Sequence, residues 1–146
     1  MPMRLLILPA LVLLFCACDR SPPADRPLTV LSALPGCDLQ QGCRAGEGSF
    51  AVELRFAAPP RAMTAFPIAL RVAAGEAVET VMISFAMRGM DMGLNRYRMV
   101  RGASNTWTAD VTLPICVSGR SDWIAGVELV TARRRFQWDV PFVLEK

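Results

Sequence analysis

The densest cluster of soft donors in the chain is the segment Met87-Arg88-Gly89-Met90-Asp91-Met92-Gly93-Leu94-Asn95-Arg96-Tyr97. The thioether of methionine selects copper(I) over harder cations. A Met-x-x-Met-x-Met spacing lets several sulfurs converge in a loop, which a regular strand, with side chains on alternate faces, would only partly allow. The glycines on either side of Met90 and Met92 mark such a loop. Methionine is also an adaptable filler of apolar cores. Met82 and Met99 fall inside strand patterns, and Met87 occupies a core-facing position. Met90 and Met92 are therefore the candidate metal ligands, with Met87 a further one.

Cys116 is the third candidate. It ends the stretch Trp-Thr-Ala-Asp-Val-Thr-Leu-Pro-Ile-Cys and opens Val-Ser-Gly-Arg-Ser-Asp-Trp. If the strands alternate in direction, the loops at 88–95 and 116–122 are two strands apart and share one pole. Met90, Met92 and Cys116 then meet as an all-sulfur site. The remaining cysteines outside the N-terminal segment are Cys37 and Cys43, spaced so that a turn can close a local disulfide. A bridge from either of them to Cys116 is the alternative, and it would remove Cys116 as a ligand.

The chain has no histidine. That removes Ser-His-Asp and Cys-His catalysis and the commonest zinc and copper(II) ligand. There is no Gly-rich phosphate loop, nucleophile elbow or close carboxylate pair. An enzyme is not expected, and no residue takes a catalytic role. The net charge of +3 is too small to imply nucleic-acid binding. The one basic run, Arg133-Arg134-Arg135, reads as a solvated turn.

These loops need elements to hold them, and the patterning from Ser49 onward has period two. Val52, Leu54 and Phe56 share a face. Phe66, Ile68, Leu70 and Val72 repeat the pattern, as do Val81, Ile83, Phe85 and Met87. Strands follow near Arg96–Val100, Trp107–Leu113, Trp123–Val130 and Phe136–Leu144. Pro141 marks the last as an edge strand or a bulged one. About seven short strands with regular turns and no helical stretch predict an all-β, immunoglobulin-like β-sandwich over 37–146, with its tryptophans in the core.

The first twenty residues carry a different signal. Arg4 precedes an unbroken apolar run from Leu5 to Phe15, too short to span a bilayer and fit for a cleaved signal peptide. Phe15-Cys16-Ala17-Cys18 followed by Asp19 resembles the lipobox of bacterial lipoproteins. That resemblance implies a signal peptide over 1–17 and a lipidated (palmitate-bearing) Cys18. Residues 18–36, with four prolines, then act as a tether, with room for a short strand at 28–34. Cys16 would leave with the signal, so a Cys37–Cys43 bridge makes Cys116 the odd thiol. Export implies a disulfide-permitting compartment. In such lipoproteins Asp after the lipidated cysteine goes with retention at the inner membrane, here its periplasmic face.

From Cys37 onward the chain also resembles small envelope proteins found with copper-delivery and cytochrome oxidase assembly factors. The residues that carry this are Cys37 and Cys43, Met90 to Arg96, and Leu113 to Cys116 followed by Trp123. More loosely it is similar to YtkA-like and FixH-like immunoglobulin-type domains. The resemblance implies a membrane-anchored protein that binds copper(I) or assists copper delivery, with a copper chaperone or oxidase assembly factor as partner. The rival expectation is an envelope protein-interaction module without metal, whose methionine loop is a contact surface.

Overall fold

The structure, a computed structural model, describes residues 26–90 and 92–145. The signal segment 1–17, Cys18, the tether residues up to 25 and Asp91 lie outside the described residues.

The described residues form eleven strands and no helix. They are β1 (Leu28–Val30), β2 (Ser32–Ala33), β3 (Cys43–Glu47), β4 (Phe50–Phe56), β5 (Phe66–Ala74), β6 (Val78–Ala86), β7 (Arg96–Arg98), β8 (Val100–Arg101), β9 (Thr106–Val111), β10 (Asp122–Thr131) and β11 (Arg135–Val143). One sheet has the order β1-β11-β10-β6-β7 and the other β2-β3-β4-β5-β9-β8. The expectation of about seven strands is corrected in three places, one of them β3, which lies ahead of the alternation that begins at Ser49. The stretch around Arg96–Val100 is two strands, because the chain passes from one sheet to the other at Met99, whose side chain is buried where it crosses. In addition, paired structure begins before Cys37. β1 lies parallel to β11, β2 pairs with β3, and Leu31 between them is buried in the core.

The period-two reading explains why β4, β5, β6, β9, β10 and β11 form. In β4, Phe50, Val52, Leu54 and Phe56 point inward, while Ala51, Glu53 and Arg55 point out. In β11, Phe136, Trp138 and Val140 are buried between exposed Gln137 and Asp139. All three tryptophans are core residues. The two inner faces meet in one hydrophobic core, which makes the arrangement sandwich-like. Phe50 of one sheet stacks on Phe136 of the other, centroids 3.9 Å apart and planes 3° from parallel. Pro141 pairs with Ile124 on its β10 side. On the other side β1 reaches only as far as Gln137, so Pro141 sits on an open edge that needs no amide donor from it.

Strand directions give the molecule two poles. β4, β6, β9 and β11 all end at the pole formed by the loops at 57–65, 87–95 and 112–121. The turns at 47–49, 75–77, 102–105 and 132–134 form the other. The register Ile124↔Ala86 brings the start of β10 beside the end of β6, so the loop leaving β6 and the loop entering β10 begin side by side.

Candidate functional site

Met87 and Met90 close a tight turn. They form an isolated antiparallel bridge, with the Met90 amide donating to the Met87 carbonyl over 3.2 Å. Gly89 takes φ of 72° at the third position, where a side chain would be strained. The turn places Met87 in the core and Met90 at its edge, partly buried. Met92 is also partly buried against the core. Its carbonyl accepts from Asn95 Nδ2 at 2.7 Å, and the Asn95 carbonyl accepts from the Phe85 amide. The methionine loop is thereby pinned to the end of β6.

A second loop approaches from β9. Tyr97 Oη donates to the Thr112 carbonyl at 2.6 Å and accepts from the Thr112 amide, fixing the exit of β9 against β7. Cys116 then opens a turn closed by the Gly119 amide on the Cys116 carbonyl, again with a glycine at positive φ. The Cys116 side chain is 8% exposed. Its Sγ donates to Met90 Sδ at 3.5 Å and lies 3.0 Å from Ser118 Oγ.

Of the residues singled out in the sequence, the structure brings Met90 and Cys116 into contact. Met87 is joined to Met90 through the backbone, and Met92 follows in the same loop. Cys37 and Cys43 form a disulfide, with Cα atoms 4.2 Å apart. Cys116 is the free cysteine among the described residues, which closes the alternative of a bridge to it. No three of Cys, Asp or Glu cluster as ligands among the described residues. The soft donors that this pole brings together are thiol and thioether.

The loop chemistry lowers the pKa of the thiol. The Ser118 hydroxyl lowers the Cys116 pKa most, burial opposes it, and the Ser118 and Arg120 amides and the Arg120 charge add to the lowering. Arg120 is itself held by Asp122, its Nε donating to Oδ1 at 2.9 Å, and its Nη1 donates to the Arg88 carbonyl at 3.2 Å. That last bond ties the cysteine loop to the methionine loop. Beside the pair an open groove is lined by Arg88, Arg120, Ile124, Phe142 and Val143.

The sequence reading gives Ser118, Arg120, Tyr97 and Asn95 no role of their own. Ser118 had a usable signal, a hydroxyl two residues after a cysteine in a turn ending in glycine. Nothing local marks Arg120, whose acceptors belong to another loop and to the following strand. The chain matches no protein-family model and no curated protein.

Proposed function

We propose that this is a membrane-anchored, non-enzymatic envelope lipoprotein that binds copper(I) as cargo through Cys116 and Met90. Met92 or Met87 completes the donor set, and a copper chaperone or oxidase assembly factor is the partner. The observation that carries the reading is the 3.5 Å contact between Cys116 Sγ and Met90 Sδ. A thiolate and thioethers are soft ligands suited to copper(I). Thiol ligation requires loss of the proton, and Ser118 and Arg120 ease that loss. Lipidation at Cys18 and a place at the periplasmic face of the inner membrane rest on the lipobox residues and Asp19.

The domain carrying this site is proposed to be immunoglobulin-like. The support is the neighbour order. β4-β5-β9-β8 reads as strands A-B-E-D, and β11-β10-β6-β7 reads as G-F-C-C′. On that reading β1 to β3 are N-terminal additions at the sheet edges.

The test is a titration of the reduced protein against a competing copper(I) chelator. The wild type should take up copper, and Met90→Leu with Met92→Leu should not. Leucine is close to methionine in volume, so such swaps cost under about 1.5 kcal/mol in a core and leave the fold in place. A wild type that takes no copper from even a weak chelator sinks the proposal.

One observation favours the rival reading, a metal-free interaction module. Leu94 and Val117 are fully exposed and Ile115 largely so, all in the two loops that hold Met90 and Cys116. A partner would cover such an apolar rim. Under that reading the Leu variant keeps its partner and the wild type binds no copper.

A further inference from the structure

The chain enters the fold at the pole opposite the sulfur pair. Arg26 is the first described residue, and it is fixed there by its ion pair with Glu79 at 2.9 Å and by donation to the Thr131 carbonyl. From that point β1 runs parallel to β11, whose nine residues end at the sulfur pole. At about 3.3 Å per residue the two poles are roughly 30 Å apart. If Cys18 carries the lipid, seven residues separate it from Arg26. Fully stretched, that span reaches about 28 Å. The entry pole is thus held close to the bilayer.

The charge at that pole is uneven. Arg134 is neutralised by Glu76, with Nε donating to Oε1 at 2.8 Å, and Arg26 by Glu79. The buried Thr131 hydroxyl donates to Glu76 and accepts from the Arg133 and Arg134 amides, which sets the turn rigidly. Among the described residues Arg101, Arg133 and Arg135 form no salt bridge, although the Arg133 charge helps to lower the Glu76 pKa, and Glu47 is the one further acid in these turns. Arg101 and Arg133 are exposed. The sulfur pole also takes the loop at 36–42, where the Leu39 carbonyl accepts from the Phe56 amide; with that loop and Asp122 counted, its loops carry three arginines and three aspartates.

We infer that the turns at 102–105 and 132–134, with Arg101 and Arg133 at their edge, rest on an anionic phospholipid surface, so that the domain stands upright with Met90 and Cys116 facing away from the bilayer. This rests on the lipid anchor of the proposed function. Arginine close to an anionic leaflet is attracted within about a Debye length, roughly 10 Å at 0.1 M salt. A tether of this length lets the pole come within that range, where its arginines are drawn to the leaflet.

The experiment uses the processed, lipidated protein in vesicles of phosphatidylcholine alone or of an equimolar mixture with phosphatidylglycerol. Flotation is measured first, then backbone amide exchange by mass spectrometry. Exchange in the turns at 102–105 and 132–134 should slow several-fold on the anionic vesicles only, while the loop at 112–121 is unchanged. High salt, or Arg101→Glu with Arg133→Glu, should abolish the slowing; both residues are exposed, so the fold is kept. Equal exchange on the two vesicles overturns the surface while leaving the anchor standing. Protein that floats only with anionic vesicles overturns the anchor and supports the surface. Protein that floats with neither overturns both.

Discussion

Cys116 is shielded from solvent, yet its pKa is lowered, because the Ser118 contact and loop amides outweigh the desolvation of the thiolate. A native thiol pKa below its ordinary value means the thiolate persists to lower pH than in the unfolded chain. Ser118→Ala removes the largest cause, so the pH profile of Cys116 alkylation should move toward alkaline pH; an unmoved profile would show that the hydroxyl does not set the ionisation. Mature protein should also yield one reactive thiol after unfolding and a bridged Cys37–Cys43 peptide, which a tryptic map under non-reducing conditions reads directly. At this scale much of the candidate site is legible from sequence. Met90 and Cys116 are residues of distinctive chemistry in loops separated by an even number of strand reversals, and reversal parity alone puts such loops at one pole. Arg120 is not legible in that way, because its role comes from acceptors at residue 88 and residue 122 that no spacing rule connects.

Two elements carry predictions of their own. Gly75 turns the chain from β5 into β6 with φ of 106°, and a Cβ there would lie 2.6 Å from Phe50 Cδ2 and 3.1 Å from Phe50 Cα. The ring cannot retreat without leaving its stack on Phe136. Gly75→Ala should therefore destabilise by about 1–3 kcal/mol, seen as a lower urea midpoint with an unchanged slope. On the outer face, Glu53 stands in register with Arg44 of β3 and Arg71 of β5. Its pKa is lowered, first by the Arg44 hydrogen bond at 2.9 Å. A lowered native pKa contributes stability above the unfolded carboxylate range, and that contribution is lost as pH falls through the native value. Glu53→Gln should flatten the acid limb of the stability curve; the same limb in both proteins would contradict the assignment. The long strands are legible because each alternates large apolar and polar residues. β3 is not, since its inward residues are only Cys43 and Ala45, both fully buried yet too small to print a pattern. β7 and β8 read as one strand because alternation continues through Met99 while the hydrogen-bonding partner changes.

For the whole molecule, the core joins the sheets through aromatic contacts, above all Phe50 on Phe136 and Phe142 edge-on to Phe56. Phe136→Ala should cost about 3–5 kcal/mol by equilibrium unfolding, with both sheets lost in one transition. Two separate transitions would mean that the sheets are independently stable. Sheet order is the least legible level, because β6 pairs with β10 and β5 with β9 across long stretches of intervening chain, and alternation within a strand carries no record of its neighbour. The parallel docking of β1 on β11 has a mechanical side as well. Tension applied through the chain ahead of Arg26 runs along the strand axis, so the bonds that β1 makes with Arg135, Phe136 and Gln137 are loaded together, in shear. An antiparallel strand pulled from its end would unzip bond by bond. Were the domain held by its N-terminus, as the proposed anchor would have it, it would yield only when the whole β1 seam slides at once, a strong joint rather than a frayed one.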